Sequence, residues 1–245
     1  MVPINAVIRA IRTELRALGD PGRAVQGQSY SKQPLKLYGV RIPEARRISR
    51  ERYAELKKRW SVHGATDFCD RMLADPYLEM KVIGPMFLGR YKKHYPKTLL
   101  TAIRRWIERG DCSSWPVLDC LGMSVLIPLV ETYPELTKRT HRWTASKNMW
   151  LRRAAAVALT RPARHGVLLD EAYDVAQSLF GDKEDLIHKA TGWLLRDAGV
   201  TDRKRLRAFL LGWGPAIPRT TLRYAIEHFP KAERKRLLAA TRPTS

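Results

Sequence analysis

The chain has 245 residues, of which 44% are apolar, so it can bury a substantial core and is not generally disordered. Its 45 Lys and Arg residues outnumber its 24 Asp and Glu residues, which gives a formal net charge of +21. Such an excess predicts a polyanionic partner, with nucleic acid favoured over an anionic membrane surface, and the lack of an apolar run of about 18 residues predicts that no segment spans a membrane.

The first segment, Ile4–Leu18, mixes apolar residues with Arg9, Arg12 and Arg16. This pattern predicts an amphipathic helix and lacks the apolar block of a secretory signal. Residues 20–42 are rich in Gly, Ser and Gln, and they predict an ordered loop. Almost every later segment has helical period, and none alternates with period two over the length of a strand, which predicts an all-α chain.

A faint internal repeat runs through the helical part of the chain. The hexapeptide that begins at Trp150 has counterparts at steps of about 36 residues, beginning at Leu78, Ser114, Leu186 and Leu222. Each helix pair of such an array must stack on its neighbours to cover its apolar face. We therefore expect a single domain over residues 1–245, built as a helical-repeat solenoid (an α-α superhelix) whose basic concave groove binds a duplex.

The cysteines indicate neither a metal site nor a disulfide framework. Cys69, Cys112 and Cys120 have no metal-ligand spacing, and their odd number argues against complete pairing. These features predict a cytoplasmic protein without a metal or an organic cofactor. Cys120 has no His near it in the sequence that could activate it, so we interpret it as a small core residue.

The segment from Ser113 to Asp119 carries the clearest chemistry. Trp115 and Asp119 are four residues apart, so on a helix they project from one face. A carboxylate beside an aromatic ring suits a reaction that develops positive charge. In so basic a protein, this pair predicts an enzyme that acts on nucleic acid.

Five segments, in their order and spacing, resemble the AlkD-like, HEAT-repeat DNA alkylation repair glycosylases. They are Tyr30 with residues 37–44, and residues 91–94, 115–119, 148–154 and 189–196. The family often has Asp where this chain has Pro116. The resemblance implies a HEAT-like repeat fold and a monofunctional glycosylase of base excision repair, which hydrolyses the N-glycosidic bond of N3- or N7-alkylated purines in double-stranded DNA.

The resemblance also implies roles for individual residues. The position of Asp119 is the essential carboxylate, the positions of Trp115 and Trp193 cradle the nucleotide that carries the lesion, and that of Arg153 holds DNA near them. Further DNA contacts are expected from Tyr30, Arg41, Arg46, Arg152, Lys189 and Arg196. Catalysis is expected with the base still stacked, in a monomer that is associated with the bacterial nucleoid when it is bound to DNA.

The implied reaction needs one carboxylate. Cleavage of an N-glycosidic bond produces an oxocarbenium-like sugar, and ordinary glycosidases use a second carboxyl group to protonate the leaving group. A purine alkylated at N3 or N7 already carries positive charge and leaves without protonation. Asp119 would then stabilise the sugar cation and orient water, and Arg153 would favour the ionised form of Asp119.

Simpler interpretations of these residues stay open at this point. Trp115 and Trp193 are typical of helical core residues, and Asp119 is typical of a surface ion pair. Arg152 and Arg153 are typical of a solvated helix face. The alternative function is a non-catalytic HEAT-repeat protein that binds damaged or branched DNA, and a weaker one is a scaffold for an acidic protein. The preferred lesion is also open, from a methylpurine to a bulky adduct.

Overall fold

A computed structural model describes residues 2–29, 31 and 34–242. Tyr30, one of the predicted DNA contacts, lies outside the described residues. The described part of the chain is all-α, as predicted, and its only extended pairing is an isolated bridge between Lys36 and Tyr77. The chain divides into two compact units, Met1–Leu129 and Val130–Ser245. The single domain over residues 1–245 stays a prediction from the sequence.

The first unit is built around α5. Its helices are α1 (Ile4–Leu18), α2 (Pro21–Gln28), α3 (Ile42–Leu56), α4 (Val62–Leu73), α5 (Leu78–Leu88), α6 (Leu99–Glu108) and α7 (Trp115–Leu121), with a 3-10 turn at Gly89–His94 and a π turn at Gly122–Leu126. Helix α5 packs on α3, α4 and α7. The buried ring of Phe87 on α5 meets Trp60, Phe68 and Tyr91, so an aromatic cluster fixes these helices against one another.

The second unit is built around α13. After α8 (Ile127–Thr132), which begins in the first unit, its helices are α9 (Thr137–His141), α10 (Met149–Val157), α11 (Thr160–Arg164), α12 (Leu169–Ser178), α13 (Asp185–Ala198), α14 (Arg203–Trp213), α15 (Arg219–Ala225) and α16 (Lys231–Ala240). Helix α13 packs on α10, α11, α12 and α15. A Cβ atom at Gly192 would lie 2.4 Å from the Cβ of Tyr224 and 2.7 Å from the carbonyl oxygen of Thr221, so glycine is required where α13 and α15 meet.

The helix starts agree with the internal repeat. Helices α5, α7, α10, α13 and α15 begin 34 to 37 residues apart, each within three residues of a predicted repeat start. Successive copies pack directly within each unit, α5 on α7 in the first and α10 on α13 and α13 on α15 in the second. This packing is consistent with a helical-repeat fold, and the basic concave groove stays a prediction.

The loop predicted over residues 20–42 is wrong in its first part, because α2 occupies Pro21–Gln28. The side chain of Asp20 caps this helix by accepting a hydrogen bond of 2.8 Å from the backbone N–H of Arg23. Pro21 takes the first helical position, where its missing N–H costs nothing. These two cap signals outweigh the glycines of the segment.

One helical segment among the described residues, Trp115–Thr132, is long and apolar enough to match a membrane span, with a mean hydropathy of 1.3. The sequence had predicted no such segment. It passes on length and mean hydropathy although it carries Asp119 and Glu131. Because 56% of this window is buried inside the protein, it also has the character of a core helix.

Candidate active site

Trp115 and Asp119 both lie on α7, in the first unit, so the prediction that one helix carries them is confirmed. The opposite side of α7 is buried through Val117, Leu118 and Leu121, and this burial orients the helix. The Trp115 side chain is 36% exposed and Asp119 is partly exposed. Trp115 is therefore not a core residue, and an aromatic face and a carboxylate are both accessible on this helix.

The start of α7 explains why Pro116 is compatible with the motif. Ser114 is the N-cap residue, with an extended backbone, and the helix begins at Trp115. Pro116 therefore lies in the first turn, where a helical N–H has no partner within the helix and where a φ near that of proline is already required. The departure from the family pattern leaves the helix intact.

A π turn follows α7 directly, over Gly122–Leu126. In a regular α-helix Pro128 would have no N–H to donate to the carbonyl of Ser124, and its ring would clash with that carbonyl, which favours a wider turn before it. The wider turn relieves the clash, and the Tyr95 hydroxyl, which donates to the Leu88 oxygen at 3.0 Å, lies 3.4 Å from the Ser124 oxygen. Such turns are frequent at functional sites, and this one begins three residues after Asp119.

The Cys120 thiol is packed as a core group rather than poised as a nucleophile. Its Sγ atom lies 3.4 Å from the backbone oxygen of Val82. Burial raises the pKa of Cys120 to about 12, against smaller opposing contributions that include the positive charge of Arg46. The thiol is therefore protonated at neutral pH, whereas the thiolate is the reactive form.

Thiol labelling tests this assignment. Burial also raises the pKa of Cys112 to about 12 and that of Cys69 well above its ordinary value. We expect iodoacetamide at neutral pH to label none of the three cysteines in the folded protein and all three after unfolding in urea, as read by mass spectrometry. Rapid labelling of Cys120 alone in the folded protein would contradict its assignment as a packed, protonated thiol.

The segment 37–44 owes its pattern to a buried carboxylate. The backbone N–H groups of Tyr38, Gly39 and Val40 donate to Glu79 at 3.1, 2.8 and 3.1 Å, and Glu79 is 3% exposed. Gly39 has a φ of +80°, and a Cβ atom there would lie 2.0 Å from the carbonyl oxygen of Asp20. Only glycine fits this position. The motif is therefore first of all a structural anchor.

This anchored loop leads into α3 and presents two of the predicted DNA contacts. Arg41 is the N-cap residue of α3, and Arg46 lies on its second turn. Both side chains are exposed, and neither forms an ion pair with a carboxylate in the part of the chain that the structure describes. Arg41 and Arg46 are therefore accessible to an external anion.

In the second unit, Arg153 and Trp193 are held by hydrogen bonds. Arg153 is only 5% exposed, and its guanidinium donates to the backbone oxygen of Leu186 at 2.6 Å, which links α10 to the start of α13. The half-buried Trp193 donates its indole N–H to Asp197 at 2.9 Å, and Asp197 also accepts from Arg164 at 3.3 Å. Arg153 is thus not part of a solvated face, and the ring of Trp193 is fixed in one orientation.

The other predicted DNA contacts of the second unit have partners within the protein. Arg152 donates to Asp182 at 2.6 Å, and both side chains are largely buried. Lys189 lies 2.8 Å from Asp185, and Arg196 pairs with Glu227. A DNA phosphate would compete with these carboxylates, so the roles of Arg152, Lys189 and Arg196 in DNA binding stay predictions.

Tyr224 is a candidate DNA contact that the sequence does not indicate. Its side chain is 37% exposed on α15, and its Cβ lies against Gly192, next to Trp193. The pKa of Lys189 is raised chiefly by its hydrogen bond to Asp185 and, to a smaller extent, by Tyr224, which places the Tyr224 ring near Lys189. The only sequence signal is that Tyr224 lies in the repeat copy that begins at Leu222.

Comparison with known proteins assigns the chain to a family. A family model for DNA alkylation repair enzymes matches residues 11–229. The chain belongs to this DNA alkylation repair enzyme family. Its fold is similar to that of a solved structure described as a "predicted DNA alkylation repair enzyme" from Enterococcus faecalis, with a TM-score of 0.77, 15% identity, and coverage of 87% of this chain and 97% of that chain. No curated protein matches the chain significantly.

Membership of the DNA alkylation repair enzyme family explains the charge of the chain. A DNA repair family has DNA as its partner, and a formal net charge of +21 suits a polyphosphate backbone. The described residues contain no group of three or more His, Cys, Asp or Glu side chains placed to hold a metal ion. Helix α7 of the first unit presents an exposed indole and a partly exposed carboxylate, and within the second unit Arg153 and Trp193 are held by hydrogen bonds.

Proposed function

We propose that this member of the DNA alkylation repair enzyme family is a monofunctional DNA glycosylase. Its substrate would be double-stranded DNA that carries a cationic N3- or N7-alkylated purine, and its products the free alkylpurine and an abasic site. We further propose that it acts as a cytoplasmic monomer built from HEAT-like repeats, with the lesion left in the base stack. Asp119 is the proposed catalytic carboxylate, and Trp115, Trp193 and Arg153 are its proposed companions.

The observation that carries this proposal is the exposed Trp115 one helical turn before the partly exposed Asp119. More than a third of the surface of Trp115 is exposed to water, so this ring contributes less hydrophobic stabilisation to the fold than a buried tryptophan would. A site that contacts a cationic, planar lesion gains from such a ring, because an indole face attracts positive charge by about 0.5–2 kcal/mol.

The reaction follows from the charge that each state carries. As the N-glycosidic bond breaks, the positive charge of the alkylated base moves onto the sugar, and the base leaves as a neutral molecule. A carboxylate that is already in place stabilises this sugar cation more than it stabilises the starting nucleotide, and this difference lowers the activation free energy of bond cleavage. The same carboxylate can accept a hydrogen bond from the water that attacks the sugar. No second carboxyl group is needed, because the leaving base is not protonated.

The direct test is base release by the unaltered protein. Duplex DNA treated with a methylating agent is incubated with the protein, and free bases are measured by mass spectrometry. We expect release of 3-methyladenine or 7-methylguanine, with abasic sites formed in equal number and no strand cleavage beyond that of abasic DNA alone. Untreated duplex is the control. Tight, salt-sensitive binding without release from methylated or bulky-adduct DNA would contradict the glycosylase and favour the non-catalytic DNA-binding alternative.

A further inference from the structure

Helix α3 separates its arginines into two classes. Arg47 contacts Glu14, Glu44 and Glu51 at 3.0, 2.8 and 2.7 Å. Arg52 contacts Glu14 and Glu55 at 3.0 and 2.9 Å. These two guanidinium groups are therefore neutralised by carboxylates of α1 and α3, and they act as structural links within the first unit.

Three further arginines on or beside α3, Arg46, Arg50 and Arg90, are not neutralised in this way. Arg46, Arg50 and Tyr53 follow at spacings of four and three residues, so they share one face of α3. The guanidinium of Arg90, from the 3-10 turn after α5, lies over the Tyr53 ring at 5.8 Å from its centroid. Within residues 2–29, 31 and 34–242, no carboxylate forms an ion pair with Arg46, Arg50 or Arg90, and all three side chains are exposed.

Like charges are held close together in this cluster. Burial and, next, the positive charge of Arg50 lower the pKa of Arg90, which shows that the two guanidinium groups lie near each other. Tyr53 itself is fixed by an edge-on contact with Tyr91, with ring centroids 5.2 Å apart, so the platform under Arg90 is rigid. Arginine keeps its charge at neutral pH, so this arrangement costs free energy that a bound anion would recover.

The cluster lies near the helix that carries Asp119. The positive charge of Arg46 acts on the Cys120 thiol, the residue next to Asp119. Helix α5 packs on both α3 and α7, so the two helices share a neighbour within the first unit. An anion held by Arg46, Arg50 and Arg90 would thus lie beside α7.

We propose that Arg46, Arg50 and Arg90 form a phosphodiester-binding cluster that holds the DNA backbone beside the helix of Asp119. The inference deepens the proposed function, on which it rests for its choice of DNA as the polyanion. Guanidinium groups donate two parallel hydrogen bonds to phosphate oxygens, which suits a backbone contact that does not depend on sequence. Arg50 and Arg90 become binding residues in addition to Arg46, whereas Arg47 and Arg52 are excluded by their carboxylates.

The experiment measures binding to lesion-free duplex DNA as a function of salt concentration. The double variant Arg50→Gln/Arg90→Gln is compared with Lys57→Gln/Lys58→Gln, which removes the same charge from exposed residues just after α3. Removing one guanidinium–phosphate interaction should reduce the slope of log K against log salt by about 0.9, so we expect a slope smaller by about 2 and an affinity about 10- to 100-fold lower in the arginine variant. The lysine variant should change much less.

Several outcomes separate the possibilities. Equal slopes and affinities for the two double variants would overturn the cluster. Loss of binding to phosphatidylserine vesicles without loss of DNA binding would overturn it too, because it would make a membrane surface the partner. If the arginine variant is poorly folded by circular dichroism, Arg46→Gln alone replaces it, with an expected slope smaller by about 1. Because the duplex has no lesion, a smaller slope without any base release by the unaltered protein would support the cluster and count only against the glycosylase.

Discussion

Asp119→Asn is expected to reduce the rate of alkylpurine release by at least about 100-fold, while binding to DNA persists. The substitution keeps the shape of the side chain and removes the negative charge that faces the forming sugar cation. Loss of a single preorganised electrostatic group of this kind typically costs about 100- to 1,000-fold in rate. Binding should be unchanged or slightly tighter, because one negative charge is removed from a surface that meets a polyanion.

Single-turnover base release and an equilibrium binding assay, run on the same protein samples, measure the two effects separately. The matched control is Asp67→Asn, an exposed aspartate on α4 in the same unit, which changes the net charge equally and should leave both measurements unchanged. A release rate for Asp119→Asn within about threefold of that of the unaltered protein would remove Asp119 from the mechanism, since threefold is less than 1 kcal/mol in barrier. A matching loss of DNA binding would instead indicate a structural role.

The all-α fold and its repeat could be predicted because both follow from the spacing of residues that are close together in the sequence. Apolar residues recur at helical spacing, and the repeat copies that begin at Trp150 and Leu186 share an apolar opener, a signal that needs no contact with a distant segment to be recognised. The same holds for Trp115 and Asp119, which one helical turn brings together. The glycines of residues 20–42 predict a loop where α2 lies, although the Asp20–Pro21 cap is an equally local signal for a helix.

What the sequence could not show are contacts between distant segments. Whether an arginine is free or paired depends on carboxylates elsewhere in the chain, so Arg152 and Arg46 look alike in sequence although only Arg152 has a buried partner, Asp182. Arg90 lies over the ring of Tyr53, 37 residues earlier in the chain, and so comes next to the face of α3 that carries Arg50. The charge composition of a chain predicts that it binds DNA. The ion pairs formed in the fold decide which basic side chains are available for that binding.

Glu79 is the clearest case of a residue whose role only the structure reveals. In the sequence it is one acidic residue in the first turn of α5. In the fold it accepts three backbone hydrogen bonds from residues about forty positions earlier, at the turn that requires Gly39. It therefore joins α5 to the start of α3, the helix that presents Arg41 and Arg46.

Glu79→Ala is expected to lower the free energy of unfolding by about 3 kcal/mol or more. The substitution leaves the backbone N–H groups of Gly39 and Val40 buried without acceptors and that of Tyr38 partly so, and each unsatisfied buried donor costs about 1–3 kcal/mol. Urea unfolding followed by circular dichroism measures the change. The loop should also lose its fixed geometry, so affinity for lesion-free DNA should fall through the displacement of Arg41.

Two variants make this prediction specific. Glu108→Ala removes a carboxylate whose only ion pair among the described residues is with the exposed Arg104, and it should cost no more than about 1 kcal/mol. Glu79→Gln retains one oxygen for Gly39 and Val40 but presents an NH2 group, which cannot accept a hydrogen bond, to Tyr38, so its effect should lie between those of Glu79→Ala and the unaltered protein. If Glu79→Ala is no more destabilising than Glu108→Ala, the three hydrogen bonds do not anchor the loop, and the pattern of residues 37–44 needs another explanation.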